Sequence, residues 1–423
     1  CDWSSDVCSS DLVLANPRVI VPDDLLKGTG NHAAVHDHAD AVADTEDGVE
    51  VMRDHDDGEP EVLLQVQHQP VEGRGPFAGY AFYYFNDPHF VRTNLALRAV
   101  VAPTYLDSEL GFRNLIGPHT DLGVGVAGGG FADSYSELRQ GQLIQPESFI
   151  GHGGEVSVSL YHLFNPLPEG DQPQALSEVP LQAMLRSAAR YSTYEGDHHT
   201  AANFDVPEDK VAYHLRTGLR WGGREPLIDP QVAAELSVWY EGQFRTDAQR
   251  YGFDGDRNIE GRSHLFWARA LGAYTFQNEH RVEVSVTSGL SIHADRLNSF
   301  RLGGLLPMAA EFPLVLPGYY YQEITGQRFA LLHANYTIPI AYGIEMFFYG
   351  STALVDYLKG LSQPGHWHSG LGGGLGYTSA NKVWEVNVGY AYGVDAIRSD
   401  GRGAHTIGLT LQYDLEAHRT QQD

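Results

Sequence analysis

From about Gly75 onward one pattern keeps returning: segments of roughly ten residues in which apolar and polar side chains alternate, parted by turns rich in Gly, Pro, Asp and Asn. Trp384, Val386, Val388, Tyr390 and Tyr392 alternate with Glu385, Asn387, Gly389 and Ala391. The same alternation runs through 95–101, 155–160, 211–221, 282–287 and 406–415. Further segments lie near 77–85, 119–131, 181–193, 231–243, 263–276, 327–340, 343–356 and 367–379. A period of two means strands whose faces differ, and no helical period competes with it. These segments predict about 14 strands, with 12 to 16 allowed by the looseness of boundary placement.

The polar face decides what kind of sheet this is. A soluble sandwich turns Lys and Glu outward, whereas here the polar positions are mostly Ser, Thr, Gly, Asn and Arg. The apolar face carries aromatic residues toward segment ends: Tyr105, Tyr191, Trp221, Tyr240, Tyr274, Tyr392 and Tyr413. Apolar outside, polar inside and aromatic at the rims is the arrangement of an all-β, transmembrane antiparallel β-barrel, lipid on one face and a wet lumen on the other. Arg98, Arg186, Arg190, Arg216, Arg220, Glu235 and Glu283 are then expected to face the lumen. The sheet must close, because an open edge in hydrocarbon leaves backbone groups unsatisfied.

Composition agrees: 47 Gly and 23 Tyr against 4 Met suit a turn-rich β architecture. No run approaches the about 20 apolar residues of a spanning helix. A net charge of -26 excludes a nucleic-acid partner, which needs Lys/Arg stripes.

Both cysteines, Cys1 and Cys8, sit in CDWSSDVCSSDL. It has neither the basic nor the apolar region of a signal peptide and no ligand spacing for a metal. Residues 1–12 resemble a translated sequencing adapter, so the remaining chain is expected to be free of cysteine, with Val13-Leu14-Ala15 fitting the end of a signal peptide. Residues 13–72 read as a flexible acidic segment, rich in His and Asp. Its His32, His36, His38 and His55 are read as a solvated linker in preference to a metal site. The barrel is expected over 73–416 and a tail over 417–423.

One connection exceeds what a hairpin needs. NSFRLGGLLPMAAEFPLVLPGYYYQEITGQRF, residues 298–329, is long and apolar. It resembles the sixth extracellular loop of the BamA/TamA-type superfamily, the bacterial surface-antigen barrels that insert or translocate polypeptides. Arg301-Leu302-Gly303-Gly304 is similar to the family's strand-end element, and Pro317-Gly318-Tyr319 stands at its tip. Five strands follow the loop in that family, and five are counted here. Thr406, Gly408, Leu411 and Tyr413 resemble the last-strand signal read by the outer-membrane assembly machinery. Where the family's tip arginine pairs with a strand acid, this chain has Pro317, which has neither charge nor N–H. Chains with such a tip resemble barrels attached to patatin-like lipases, or short barrels without an N-terminal domain.

Enzyme signatures are weak. Residues 123–128 satisfy G-x-G-x-x-G, yet no helix follows, and glycine within a barrel strand explains both this run and LGGGLGY at 371–377. There is no H-E-x-x-H and no G-x-S-x-G. His152 and His366-Trp367-His368 read as turn and rim residues. No catalytic residue, metal or cofactor is assigned.

The resemblance implies an outer-membrane protein of a Gram-negative-type bacterium, with a loop at about 305–326 folding toward the lumen and plugging it. It would act in membrane assembly, translocation or anchoring. Its expected partners are outer-membrane lipid, the assembly machinery and a polypeptide or small-solute cargo. The alternatives are a passive porin-like channel, or the membrane anchor of a larger enzyme whose N-terminal domain is missing.

Overall fold

The computed structural model describes residues 61–68, 78–87, 91–92, 94–166, 179–223, 231–306, 313–399 and 401–415. One antiparallel sheet of 17 strands dominates, and one of these is only the three-residue Phe300–Leu302. The other sixteen run in chain order: β1 (Glu61–His68), β2 (Ala78–Asp87), β3 (Leu95–Ala102), β4 (Tyr105–Gly117), β5 (Thr120–Gly129), β6 (Phe149–Leu163), β7 (Leu181–Gly196) and β8 (Lys210–Gly222). They continue with β9 (Val232–Arg245), β10 (Arg262–Thr275), β11 (Arg281–Ile292), β12 (Ile324–Ala341), β13 (Ile344–Tyr357), β14 (Trp367–Thr378), β15 (Trp384–Arg398) and β16 (Gly401–Asp414).

Each strand pairs with its sequence neighbours, and β1 pairs on its far side with β16, Val62 opposite Tyr413 and Val66 opposite Leu409. The ladder thus returns to its first strand, as hydrocarbon surroundings demand. Strands such as β7, at 16 residues, exceed the about 9–11 tilted residues needed to cross a bilayer core. No helix among the described residues is long and apolar enough to span one.

Burial is inverted relative to a soluble protein. In β6, Val156 is 60% exposed while the alternating Glu155 is 5% exposed. Val158, Val238, Leu236, Val284, Leu375 and Val388 lie on the exposed face, and Arg98, Arg186, Arg216, Glu235, Glu241 and Arg269 are buried. Such a surface is stable only against lipid. Connections vary in length at both ends. Those after β5, β7, β9 and β11 are long and carry short ribbons, such as Leu138–Arg139 with Gln142–Leu143. Those after β4 and β12 are tight turns.

Sixteen strands fall at the top of the range of 12 to 16, and two of them escape the alternation read from sequence. β1 lies within the segment read as flexible, so the barrel begins at Glu61 and not at 73. EVLLQVQH alternates, but it directly follows the acidic run and is short. β4 carries Asp107 and Glu109 inward, which breaks its resemblance to an apolar strand. Tyr105, expected on the lipid face, is buried on the inner face beside them. Five strands follow the long loop, as counted. Residues 1–60, with the adapter-like stretch and His32, His36, His38 and His55, lie outside the described residues, as does 417–423.

Candidate functional site

The inner face divides into a charged wall and a smooth one. Along β3 to β11, Arg and acidic side chains of the inner face meet, mostly across neighbouring strands. Arg98 donates to Glu109 at 2.8 Å, and Ser159 and Tyr161 complete that carboxylate at 2.9 and 3.0 Å. Glu155 accepts from Arg190 at 3.0 Å and from Arg186 at 3.5 Å, and Arg190 reaches Asp133 at 3.2 Å. Arg216 stands 3.5 Å from Glu241 and over the rings of Trp239 and Trp267. Glu235, fully buried, is held by Arg220 at 3.2 Å, Arg269 at 2.9 Å and Ser237 at 2.9 Å. Arg281 and Glu283 lie 3.7 Å apart. Pairing is the condition for burying such charges. Arg98, Arg186, Arg190, Arg216, Arg220, Glu235 and Glu283 share the parity of the buried positions on their strands.

The opposite wall is small. Gly370, Gly372, Gly374 and Gly376 of β14 point inward, beside Gly389, Ala391 and Gly393 of β15 and Gly408 of β16. The long loop lies on it. Phe300–Leu302 first pairs with the start of β12, Leu302 opposite Ile324. Gly303 and Gly304 then turn the chain at positive φ, and Gly304 bridges to Leu316. Pro317 and Gly318 reach the far wall. A Cβ on Gly370 would lie 1.9 Å from the Pro317 carbonyl oxygen, and a Cβ on Gly318 would lie 1.8 Å from the Gly393 nitrogen. Gly318 has φ +84°, a second reason for glycine. Leu305 packs over Gly408 and Gly389. Behind this seat Leu302, Leu316, Tyr319 and Ile324 are fully buried against Trp267, Leu331, Val355 and Ala353.

Polar contacts fasten the return of the loop. Glu323, fully buried, meets Arg398 of β15 through two hydrogen bonds, and the Arg398 guanidinium lies 4.0 Å over the Tyr320 ring. Tyr319 reaches His368, and Arg301 donates to the Arg296 carbonyl at 2.8 Å and covers the Tyr135 ring. At the loop end, Tyr135, Phe149, Phe204, Tyr251 and Ile259 form a separate apolar cluster. Buried Glu137 lies within it, paired with Arg139, Arg257 and Arg296. Burial, with Glu137 alongside, pushes the Tyr135 hydroxyl far above its usual range.

Of the last-strand residues, Thr406 and Gly408 face inward and Tyr413 meets Trp384 at the rim with tilted rings, 4.2 Å between centroids. His152 is a rim residue paired with Glu195, and His366 and Trp367 sit at the rim, but His368 is a buried inner-wall residue, contrary to its reading as turn or rim. Its place in H-W-H, one step inside the strand, turns it inward. Sequence reasoning also missed Glu323, Arg398 and the seat glycines. The glycine spacing of two in LGGGLGY is the signal that marks a smooth inner face, while no local pattern marks an ion pair across a lumen. Asp197, His198 and His199 bring possible ligand atoms within 4.8 Å of one another, on largely exposed side chains that follow one another in the chain.

No family model matches the sequence, and no curated protein matches it. Among solved structures the fold is similar to CdiB from Acinetobacter baumannii, with TM-score 0.56 and 10% identity over 84% of this chain and 60% of that one. It is similar to BamA from Haemophilus ducreyi lacking POTRA domains 1-3, with TM-score 0.52 and 8% identity over 84% of this chain and 70% of that one. CdiB from Escherichia coli follows at TM-score 0.51 and 10% identity, over 84% and 63%. The chain thus spans less than two thirds of the length of either CdiB structure. The shared property is the fold, that of outer-membrane β-barrels.

Proposed function

We propose that the chain is an outer-membrane barrel of the surface-antigen type whose long loop closes the lumen, serving membrane assembly, polypeptide translocation or anchoring. The seating of Pro317 and Gly318 on the glycine wall carries this reading. A barrel of sixteen strands is wide enough for an aqueous channel, so side chains alone do not fill it. A loop fully burying Leu302, Leu316, Tyr319 and Ile324 supplies the missing filling. The charged wall argues the same way: its arginines and carboxylates bind one another, whereas a conducting pore presents charge to passing ions.

In this reading the outer face meets membrane lipid, the assembly machinery inserts the chain and a polypeptide is the cargo. The barrel performs no chemistry of its own, and any enzymatic domain it anchors lies elsewhere. A passive porin-like channel is the competing reading.

Planar-bilayer recordings separate them. The folded protein, verified by heat-modifiable mobility on unboiled gels, is expected to be nearly silent, and a variant lacking residues 306–322 to conduct steadily. Steady conductance by the unmodified protein, unchanged by the deletion, would establish the porin-like reading instead.

A further inference from the structure

His368 is 1% exposed and stands two residues before Gly370, on the same inner face as the loop seat. Its Nδ1 lies 3.2 Å from the Tyr319 hydroxyl of the loop and its Nε2 2.5 Å from the Tyr357 hydroxyl of β13. The Tyr357 hydroxyl also lies 2.7 Å from the Gly365 carbonyl oxygen. Counting protons gives each bond a direction. A carbonyl only accepts, so Tyr357 donates its single proton to Gly365 and accepts from His368 Nε2–H. The neutral ring then offers a lone pair at Nδ1, and Tyr319 donates to it. One tautomer of the neutral imidazole satisfies every group in the chain.

We propose that this chain is a proton-operated latch: protonation of His368 releases Tyr319 from the wall and unseats the loop tip. The imidazolium carries hydrogens on both nitrogens, so the Tyr319 oxygen would have to accept from Nδ1–H, leaving its own proton without an acceptor beside a newly buried charge, and both changes are costly. The charged and titratable groups around the ring come from every neighbouring element. They are Tyr319 and Glu323 of the loop, Tyr357 of β13, His366 of the preceding turn, Asp395 and Arg398 of β15, and Arg402 of β16. Both acids are already held by arginines, Glu323 by Arg398 and Asp395 by Arg402. Tyr319 directly follows Gly318, so the latch and the seat hold the same turn of chain. The inference rests on that seating and not on any transport role.

Hydrogen–deuterium exchange of residues 313–323, in the folded full chain and corrected for the intrinsic pH effect, reads the latch. Between about pH 7.5 and about pH 3.5, a window that reaches low enough to charge a buried imidazole, protection is expected to fall by about tenfold or more. In His368→Gln the amide donates to Tyr357 and accepts from Tyr319 without titrating, so protection should hold at both pH values. Tyr319→Phe should lose protection at both and show no further acid response. Equal acid loss in His368→Gln, an undiminished acid response in Tyr319→Phe, or a pH-independent wild type would overturn the latch. Bilayer current recorded in parallel keeps the two readings apart. Acid-induced exchange without current would sink lumen closure and leave the latch intact, and current without exchange would sink the latch.

Discussion

Glu323 and Arg398, 75 residues apart in the chain, join loop to wall through two hydrogen bonds of 2.8 and 2.9 Å, one at the return of the loop and the other at the end of β15. The acid stands on the loop and the arginine on the wall, so the loop is fastened a few residues after Pro317. A bidentate pair of this kind, with both partners buried, resists sliding as well as separation.

Removing one partner leaves the other charged and buried. Glu323→Ala and Arg398→Ala are each expected to cost about 3–5 kcal/mol. The double variant should cost clearly less than their sum. A double-mutant cycle from urea titrations of the heat-modifiable form measures the coupling. Additive costs would show that the pair does not act as a unit.

The glycine seat gives a second expectation. Gly370→Val places a side chain where the Pro317 carbonyl lies, so the loop must lift while the strand, which tolerates valine well, stays paired. Bilayer current should rise without loss of heat-modifiable folding. Gly272→Ala is the control, since a Cβ there meets nothing within 4 Å, and its effect should stay within about 0.5 kcal/mol.

Lipid contact predicts a cost that a soluble protein would not show. Val238 lies in the middle of β9 and is 54% exposed. Val238→Arg should destabilise the barrel by about 2–4 kcal/mol in a bilayer. Unfolding from liposomes measures it, and a neutral effect would contradict a membrane-facing wall.

On the charged wall, Glu235 is the anion shared by Arg220 and Arg269. Glu235→Ala should therefore cost about 3–5 kcal/mol, with Glu235→Gln, which keeps the shape and some hydrogen bonding, retaining part of it. Urea midpoints of the three proteins order the effects. Equal midpoints would mean that water, and not the carboxylate, neutralises the arginines.

How far the sequence could be read follows from where each signal resides. Val156 and Glu155 declare opposite faces by their order in the chain, because adjacent residues of a strand point oppositely, and repetition then implies a lipid-facing barrel. β1 and β4 escaped because a short strand beside an acidic run, or one with carboxylates turned inward, carries little of that periodicity. Arg186, Arg190 and Glu283 stand at positions of the same parity as Glu155 on their own strands.

Face and strand character thus follow from the chain's own order, since they depend only on neighbours in sequence. Partners do not. Which arginine meets Glu235, that Glu323 finds Arg398, and that His368 lies beneath Tyr319 depend on register around the whole barrel and on the path of a loop across it. A shift of two residues in one strand would preserve every alternation and change every pair. Those contacts exist only once the sheet has closed and the loop has settled on its glycine wall.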